Sequence, residues 1–485
     1  MTILRAWIRG AATVALLGMG NVALAMGDPD PDFVNGAWRF DDFAGEDGGG
    51  TVAERTIALK VLQNPGSDRF FVVYSVDDDD LNRFRLGVGR FNMDGSPQAG
   101  FGTSGAPGFL LLGWPGVQDR FEPTDATLSA DGKLLIAGLV ENPENNIHDD
   151  VVVCRLNVAG NFDASFGDGG CRRLPALIKS LGGTPQIAAD PDGGAYVSAR
   201  PFAQPDFVIQ HVDSNGDVDM GFGIGGVHTV YPPAHKSYSV RDITLQPDGK
   251  LLVIGSWVLA PDNNNDQNSD WFVLRVLPDG NSDAPFGGND TGYRSIKFDL
   301  GDAPDHMTDI PLAALTAPGG DIIICGWTQL SGTSWGMGVL RLSSDGLTID
   351  PEYGTSNDGF FAFTQVSLSS RCADMALMDD GGLFIAGLHA YNLLADVDPA
   401  MLVLDANGDL DTRFWKVGAT ALHVDRSELP GDTGTDWFRS LHYDAERERI
   451  LLVGESEGDS SDLVDGMMHS VALHDRLFKD GLEDQ

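Results

Sequence analysis

The sequence predicts an all-β protein, a seven-bladed β-propeller of four-stranded antiparallel blades, and three observations predict it. An aromatic residue recurs seven times in a short Gly/Asp-rich turn, strand-like runs fill the intervals, and the two chain ends hold complementary parts of one unit. A regular period of this length marks one supersecondary unit used repeatedly.

The turns read Asp32-Phe33-Val34-Asn35-Gly36, Gly100-Phe101-Gly102, Ser165-Phe166-Gly167, Gly221-Phe222-Gly223, Pro285-Phe286-Gly287, Glu352-Tyr353-Gly354 and Arg413-Phe414-Trp415, spaced by 68, 65, 56, 64, 67 and 61 residues. Unit two shows the interval between turns most clearly. Its strands are 125–128, 133–138, 150–156 and 171–174, joined by the Asp131-Gly132 turn, an acidic Asn-rich loop and the turn around Phe166. The runs are short, β-branched and bounded by Gly, Asp and Asn, the pattern of hairpin-connected strands. No window outside the first residues carries helical periodicity. Four such strands repeated radially describe a propeller blade.

Unit seven has three strands, at 437–442, 449–454 and 467–474, before the chain ends, and the missing turn and fourth strand (37–40) stand at the N-terminus. Pairing that strand with the last blade closes the ring and removes sheet edges that invite aggregation. An open solenoid is the alternative.

Residues 1–25 read as a signal peptide: Arg5 and Arg9 in a basic start, an apolar core over 11–19, and Ala23-Leu24-Ala25 as cleavage site. Residues 26–476 form one propeller domain, and 477–485 a C-terminal tail. The leader holds two of the 32 basic residues and none of the 71 acidic ones, which leaves 30 against 71 and a net charge of −41. Such a surface repels nucleic acid and anionic lipid. No further run reaches the ~20 apolar residues of a membrane helix, so an exported monomer is expected, periplasmic, extracellular or on the cell surface.

Four cysteines in an exported chain imply disulfides. Cys154 and Cys171 flank the turn around Asp163, where hairpin geometry faces them across two strands. Cys325 and Cys372, in neighbouring units, form the second expected pair, although four cysteines allow three connectivities.

Gln246-Pro247-Asp248-Gly249-Lys250-Leu251-Leu252-Val253-Ile254-Gly255 and the run from Asn215-Gly216-Asp217 to Phe222-Gly223 resemble the bacterial delta-60 repeat, a β-propeller unit. Asp131-Gly132-Lys133 to Gly138 and Asn407-Gly408-Asp409 to Phe414 match as well. Unit seven departs from the pattern, with Asp444-Ala445-Glu446-Arg447-Glu448 in place of Asp-Gly-Lys. The resemblance implies a secreted or surface propeller and implies no reaction.

Three sets of residues are candidates for chemistry. Asp213, Asn215, Asp217, Asp219 and Asp405, Asn407, Asp409, Asp411 share the spacing D-x-N-G-D-x-D, which supplies hard oxygens for Ca²⁺ but lacks the bidentate Glu of an EF-hand. A plain hairpin turn explains the same residues. Asp125, Asp242 and Asp374 stand at equivalent places at the start of the innermost strand, where they could ring the channel mouth or cap backbone N–H groups. Gly454-Glu455-Ser456-Glu457-Gly458 fits G-x-S-x-G, but at a strand end rather than the strand-to-helix turn a nucleophile elbow needs. The ten histidines show no metal-ligand spacing.

These observations favour an exported propeller without catalysis, acting as a binding or scaffold module for a protein or glycan partner. The alternatives are a metal-assisted enzyme (lyase, hydrolase or sugar dehydrogenase) working at the channel mouth, and a purely structural surface protein. An enzyme would require Arg or His from several blades in one channel pocket.

Overall fold

The computed structural model describes residues 29–473 apart from 35–38, 42–54, 79–82, 103–107, 114–120, 142–148, 179–183, 200–206, 231–234, 260–268, 299–307, 332–333, 355–358, 364–368, 391–396, 416–418, 422–434 and 458–463. The leader, the C-terminal tail and residues 142–148 of the acidic Asn-rich loop in unit two lie outside the described residues. Among the described residues the protein is all-β and has no α-helix.

The strands fall into antiparallel groups of four. The first group is β2 (Arg55–Gln63), β3 (Arg69–Asp78), β4 (Arg83–Asn92) and β5 (Phe109–Leu112), and the second β6 (Phe121–Leu128), β7 (Leu134–Glu141), β8 (Asp149–Leu156) and β9 (Cys171–Ile178). The third is β10 (Gln186–Ala189), β11 (Ala195–Ala199), β12 (Phe207–Val212) and β13 (Val227–Val230); the fourth β14 (His235–Leu245), β15 (Leu251–Leu259), β16 (Ser269–Val276) and β17 (Tyr293–Ile296). The fifth is β18 (Asp309–Thr316), β19 (Ile322–Ser331), β20 (Ser334–Leu342) and β21 (Phe360–Phe363). The sixth is β22 (Ser369–Leu377), β23 (Leu383–Ala390), β24 (Val397–Leu404) and β25 (Ala419–Ala421). The last is β26 (Asp436–Asp444), β27 (Arg449–Glu457) and β28 (Val464–Ala472), to which β1 (Arg39–Asp41) adds antiparallel, Arg39 opposite Met468. Single parallel bridges, Arg55 to Val464 and Trp335 to Ser369, join two pairs of groups into mixed eight-stranded sheets.

The first strand of each group neighbours the first strand of the next, and β26 neighbours β2. Apolar side chains pack between consecutive groups. Leu86, Val88 and Phe101 meet Ile136 and Cys154, for example, and Phe70 and Val72 meet Leu451, Val453 and Met468. The seven turn aromatics, Phe33, Phe101, Phe166, Phe222, Phe286, Tyr353 and Phe414, are all buried.

Each turn is also tied to the next group through the backbone. The N–H after the aromatic donates to a carbonyl of the following group's turn in five cases: Val34 to Asp94, Gly167 to Asn215, Gly223 to Asp279, Gly287 to Asp345 and Gly354 to Asn407. Close approach dictates a glycine on the receiving side. Gly280 has φ +79°, and a Cβ there would run into the backbone of Gly223. Both disulfides of the sequence reading are formed, Cys154–Cys171 directly across β8 and β9 and Cys325–Cys372 between the fifth and sixth groups.

Gly280→Ala therefore introduces a left-handed alanine and a backbone clash between two groups. A stability loss of about 2–3 kcal/mol is expected, read as a lower urea midpoint with unchanged slope.

Candidate functional site

The innermost strands carry an irregularity that decides where their side chains point. Register shifts occur between Ala58 and Lys60, Pro123 and Asp125, Val240 and Asp242, Pro311 and Ala313, Cys372 and Asp374, and Phe438 and Ser440. A bulge puts one extra residue in the strand and re-aims the side chain that follows. Facing each bulge in several groups is a glycine of the second strand. A Cβ on Gly387 or Gly454 would collide with the carbonyl of Arg371 or Trp437.

Asp125, Asp242 and Asp374 all occupy the position after the bulge. They sit within β6, β14 and β22, not at the start of the strand as the sequence suggested, because those strands begin four to seven residues earlier. Each carboxylate accepts a backbone N–H from the next group: Asp125 Oδ2 from Ile187 (3.0 Å), Asp242 Oδ2 from Ala314 (3.1 Å) and Asp374 Oδ2 from Leu441 (3.1 Å). Each of the three thus caps a backbone N–H of the next group.

The first group places Lys60 at the equivalent position, with Nζ 3.8 Å from Asp125 Oδ1. Its side chain is 34 % exposed. Burial opposes its charge, but Asp125, Asp374 and Asp242 together outweigh that and raise the ammonium above its ordinary value. Burial raises the Asp125 carboxyl despite Lys60. It pushes Asp242 up to about 6, with Lys60 pulling the other way.

More cations stand on the innermost strands. Arg241 occupies the fourth group's bulge and Arg439 the last group's; Arg371 lies three residues before Asp374, and Arg55 opens β2. Arg55 (3.7 Å) and Arg439 (2.8 Å) both meet the buried carboxylate of Glu455, which also accepts the Trp437 Nε1–H. Arg371 lies over the Trp327 ring at 4.8 Å. Burial lowers the guanidinium groups of Arg241 and Arg371, which nonetheless stay charged at neutral pH. Arg241 has no hydrogen-bond or ion-pair partner among the described residues. The sequence reading missed these five cations. The signal was Lys60, which aligns with the three aspartates once the bulge is counted.

The other sequence candidates are placed apart from this cluster. Asp213 Oδ1 accepts the N–H groups of Asn215 and Asp217, and Asp405 Oδ1 those of Asn407 and Asp409. Asp219 holds Gly221 N–H and the His211 ring, Asp411 holds Arg413, and Asp217 pairs with Arg172. Among the described residues no three His, Cys, Asp or Glu side chains are grouped as metal ligands. Glu455 and Ser456 of the G-x-S-x-G string lie in β27, in mid-sheet, and Gly458 lies outside the described residues.

The profile described as Domain of unknown function (DUF5122) beta-propeller matches residues 129–166 and 246–286. No curated protein matches the chain. Among solved structures, a PL25 ulvan lyase is similar with 12% identity, TM-score 0.48 and coverage of 87% of this chain and 96% of that one. An oligogalacturonate lyase in complex with manganese gives 11%, 0.44, 94% and 100%. The β-propeller domain of the Trilobed protease from Pyrococcus furiosus gives 11%, 0.40, 88% and 98%. At this identity the likeness concerns architecture. The chain is a β-propeller protein. The expectation of a module without catalysis is corrected by these findings: the solved structures similar to the chain include enzymes, polysaccharide lyases among them.

The charge cluster yields a prediction with a definite sign. Lys60→Met strips three carboxylates of their cation and should cost about 2 kcal/mol at pH 7, less than for a fully buried pair because water reaches the ammonium. A carboxyl whose folded pKa is raised stabilises below its unfolded value, near 4, and loses that contribution as pH rises through the folded value. The deficit of Lys60→Met should therefore shrink as pH falls from 7 to 4, and Asp242→Asn should gain on the parent above pH 6. Urea midpoints across pH measure both.

Proposed function

We propose that the protein is an exported enzyme that cleaves an acidic polysaccharide by elimination at one mouth of its central channel. The observation that carries this reading is the gathering of Arg55, Lys60, Arg241, Arg371 and Arg439 on the innermost strands of a chain with a net charge of −39. An acidic exterior with a cationic mouth admits a polyanion at one place and disfavours it elsewhere. Nucleic acid, which needs a broad basic face, fits this distribution poorly.

The frame of the proposal is a ring of seven four-stranded blades closed by the N-terminal strand. The addition of β1 to β28 and the nearness of β26 to β2 support it. The domain runs over 26–476 after a leader at 1–25, with a tail at 477–485, and its units are of the delta-60 type. The two disulfides support an oxidising location, periplasmic, extracellular or at the cell surface, for a monomer.

In an acidic sugar a carboxylate lies beside a C–H bond. Arg241 and Arg371, the guanidinium groups without a carboxylate partner among the described residues, would pair with that carboxylate and acidify the C–H. Asp242, adjacent to Arg241 and shifted to about 6, is ionised at neutral pH and a better base than an ordinary carboxylate. The C–H proton passes to Asp242 and its electron pair forms the C=C bond. The neighbouring C–O bond breaks, and the leaving oxygen takes a proton from water. Lys60 stays protonated and holds the three aspartates in place, and Glu455 orients Arg55 and Arg439 along the rim.

Incubation of residues 26–485 with a panel of acidic polysaccharides, polygalacturonate included, tests this through the ultraviolet absorbance of the unsaturated product. Asp242→Asn should lower kcat about a hundredfold or more, and Arg371→Ala should act mainly on KM. Absence of unsaturated product with every substrate, or a full rate in Asp242→Asn, would overturn the reading.

A further inference from the structure

We infer that Arg55 and Arg439, gathered on Glu455 where the last group meets the first, bind one oxyanion of an acidic sugar chain, a carboxylate or a sulfate ester. The inference rests on the acidic polysaccharide proposed as substrate and adds a second contact to it, apart from Arg241, Arg371 and the base.

The buried member of the cluster is Glu455, whose side chain is 6 % exposed. Its Oε1 accepts the Trp437 Nε1–H and an Arg439 Nη2–H, the latter at 2.8 Å. Its Oε2 lies 3.7 Å from Arg55 Nη2, an ion pair too long for a hydrogen bond. One carboxylate thus faces two guanidinium groups, and one positive charge is left over. That surplus is open to solvent, since the side chains of Arg55 and Arg439 are 50 % and 27 % exposed.

Fold stability accounts for only one of the two. Arg439 is needed, because without it Glu455 would be a buried charge short of a partner. Arg55 is not: a half-exposed ion pair beyond hydrogen-bond distance contributes under about 1 kcal/mol. Its guanidinium makes no hydrogen bond among the described residues. The fork of N–H donors is therefore available to an oxyanion, which arginine takes bidentately. Arg439 is already in position. Its guanidinium carbon lies over the Trp437 ring at 4.2 Å, and the indole is itself held by its N–H on Glu455. An oxyanion arriving here has little left to order.

The place suits a chain better than an isolated ion. β22, β26 and β2 are consecutive innermost strands, and they carry Arg371, Arg439 and Arg55 in that order. With the carboxylate of the cleaved sugar on Arg371, a further acidic unit of the same chain meets Arg439 and Arg55.

Calorimetric titration of residues 26–485 carrying Asp242→Asn, with polygalacturonate, dextran sulfate and uncharged dextran, tests the site. Dextran sulfate has no carboxylate beside a C–H bond and cannot be eliminated, so its titration stands whatever becomes of the reaction. One or both polyanions should bind saturably and dextran should not. Arg55→Gln and Arg439→Gln should each weaken that binding about tenfold, the worth of one charge-assisted hydrogen bond. The polyanion that responds tells carboxylate from sulfate. Lys250→Gln removes one charge from the outer turns and should leave the affinity as it was. If Arg439→Gln folds poorly for want of a partner to Glu455, Arg55→Gln decides alone. Unchanged affinity in Arg55→Gln, an equal loss in Lys250→Gln, or no binding of either polyanion would overturn the assignment. Arginine-dependent binding without any unsaturated product would keep the site and discard the elimination.

Discussion

Everything in this protein depends on the fit of one turn against the next group. In the second, fourth and fifth groups an arginine of the third strand lies over the turn aromatic, Arg155 on Phe166 at 4.6 Å, Arg275 on Phe286 at 4.4 Å and Arg341 on Tyr353 at 4.9 Å. Its Nε binds the aspartate that opens the turn, Asp163, Asp283 or Asp350. Its Nη1 donates onward to the following group, to Ser214, Ser344 and Ala406 carbonyls respectively. One side chain thus closes its own turn, covers the core aromatic and ties two groups together. A cation–π contact alone is worth roughly 1 kcal/mol. The larger effect is that removing the arginine would strand a carboxylate and a carbonyl at once, the situation in which buried networks lose most.

The exceptions follow the same constraint with other residues. His211 replaces the arginine in the third group, bound to Asp219 and Asp190 and stacked on Tyr196. In the last group the turn at Phe33 is supplied by the N-terminal segment, and Arg449 reaches Asp30 across 419 residues of sequence at 3.0 Å. Asp30 N–H also donates to Ser470, and Val34 N–H to Asp94 of the first group. The N-terminal segment therefore performs for the last group what a local turn performs elsewhere. This explains why the final unit could lose the Asp-Gly-Lys hairpin and keep a buried Asp444-Arg449 pair in its place.

Periodicity is legible in sequence because it is local, and the charge cluster of the innermost strands is not because a bulge intervenes. The turn aromatics, the Asp-Gly hairpins and the pairing of Cys154 with Cys171 all rest on residues a few positions apart. Asp125, Asp242 and Asp374 were recognisable as equivalents since each begins an Asp-to-apolar run. Lys60 was not: Leu59-Lys60 reads as ordinary alternation until the register shift after Ala58 is known. Arg55, Arg371 and Arg439 come from strands that share no motif, so only folding brings their chemistry to neighbouring innermost strands. The D-x-N-G-D-x-D strings show the converse, a spacing that suits a cation and equally suits a turn. Here the first aspartate of each is engaged by two backbone N–H groups.

The distribution of charge gives these two layers different tasks. On the outer turns, carboxylates outnumber cations, and each cation that is buried there is spent on a turn and on the next group. On the innermost strands the aspartates of the second, fourth and sixth groups bind the third, fifth and last, while Lys60 offsets their repulsion from the first. Three carboxylates facing one ammonium would be unstable in a dry core, and the partial exposure of Lys60 is what makes the arrangement tolerable. Arg241, lacking an anionic partner among the described residues, is left with its charge unspent beside a carboxyl shifted toward neutrality. Under the proposed elimination the unpaired Arg241 would recruit the anionic substrate, while the Ala314 N–H holds Asp242 in place to take the proton.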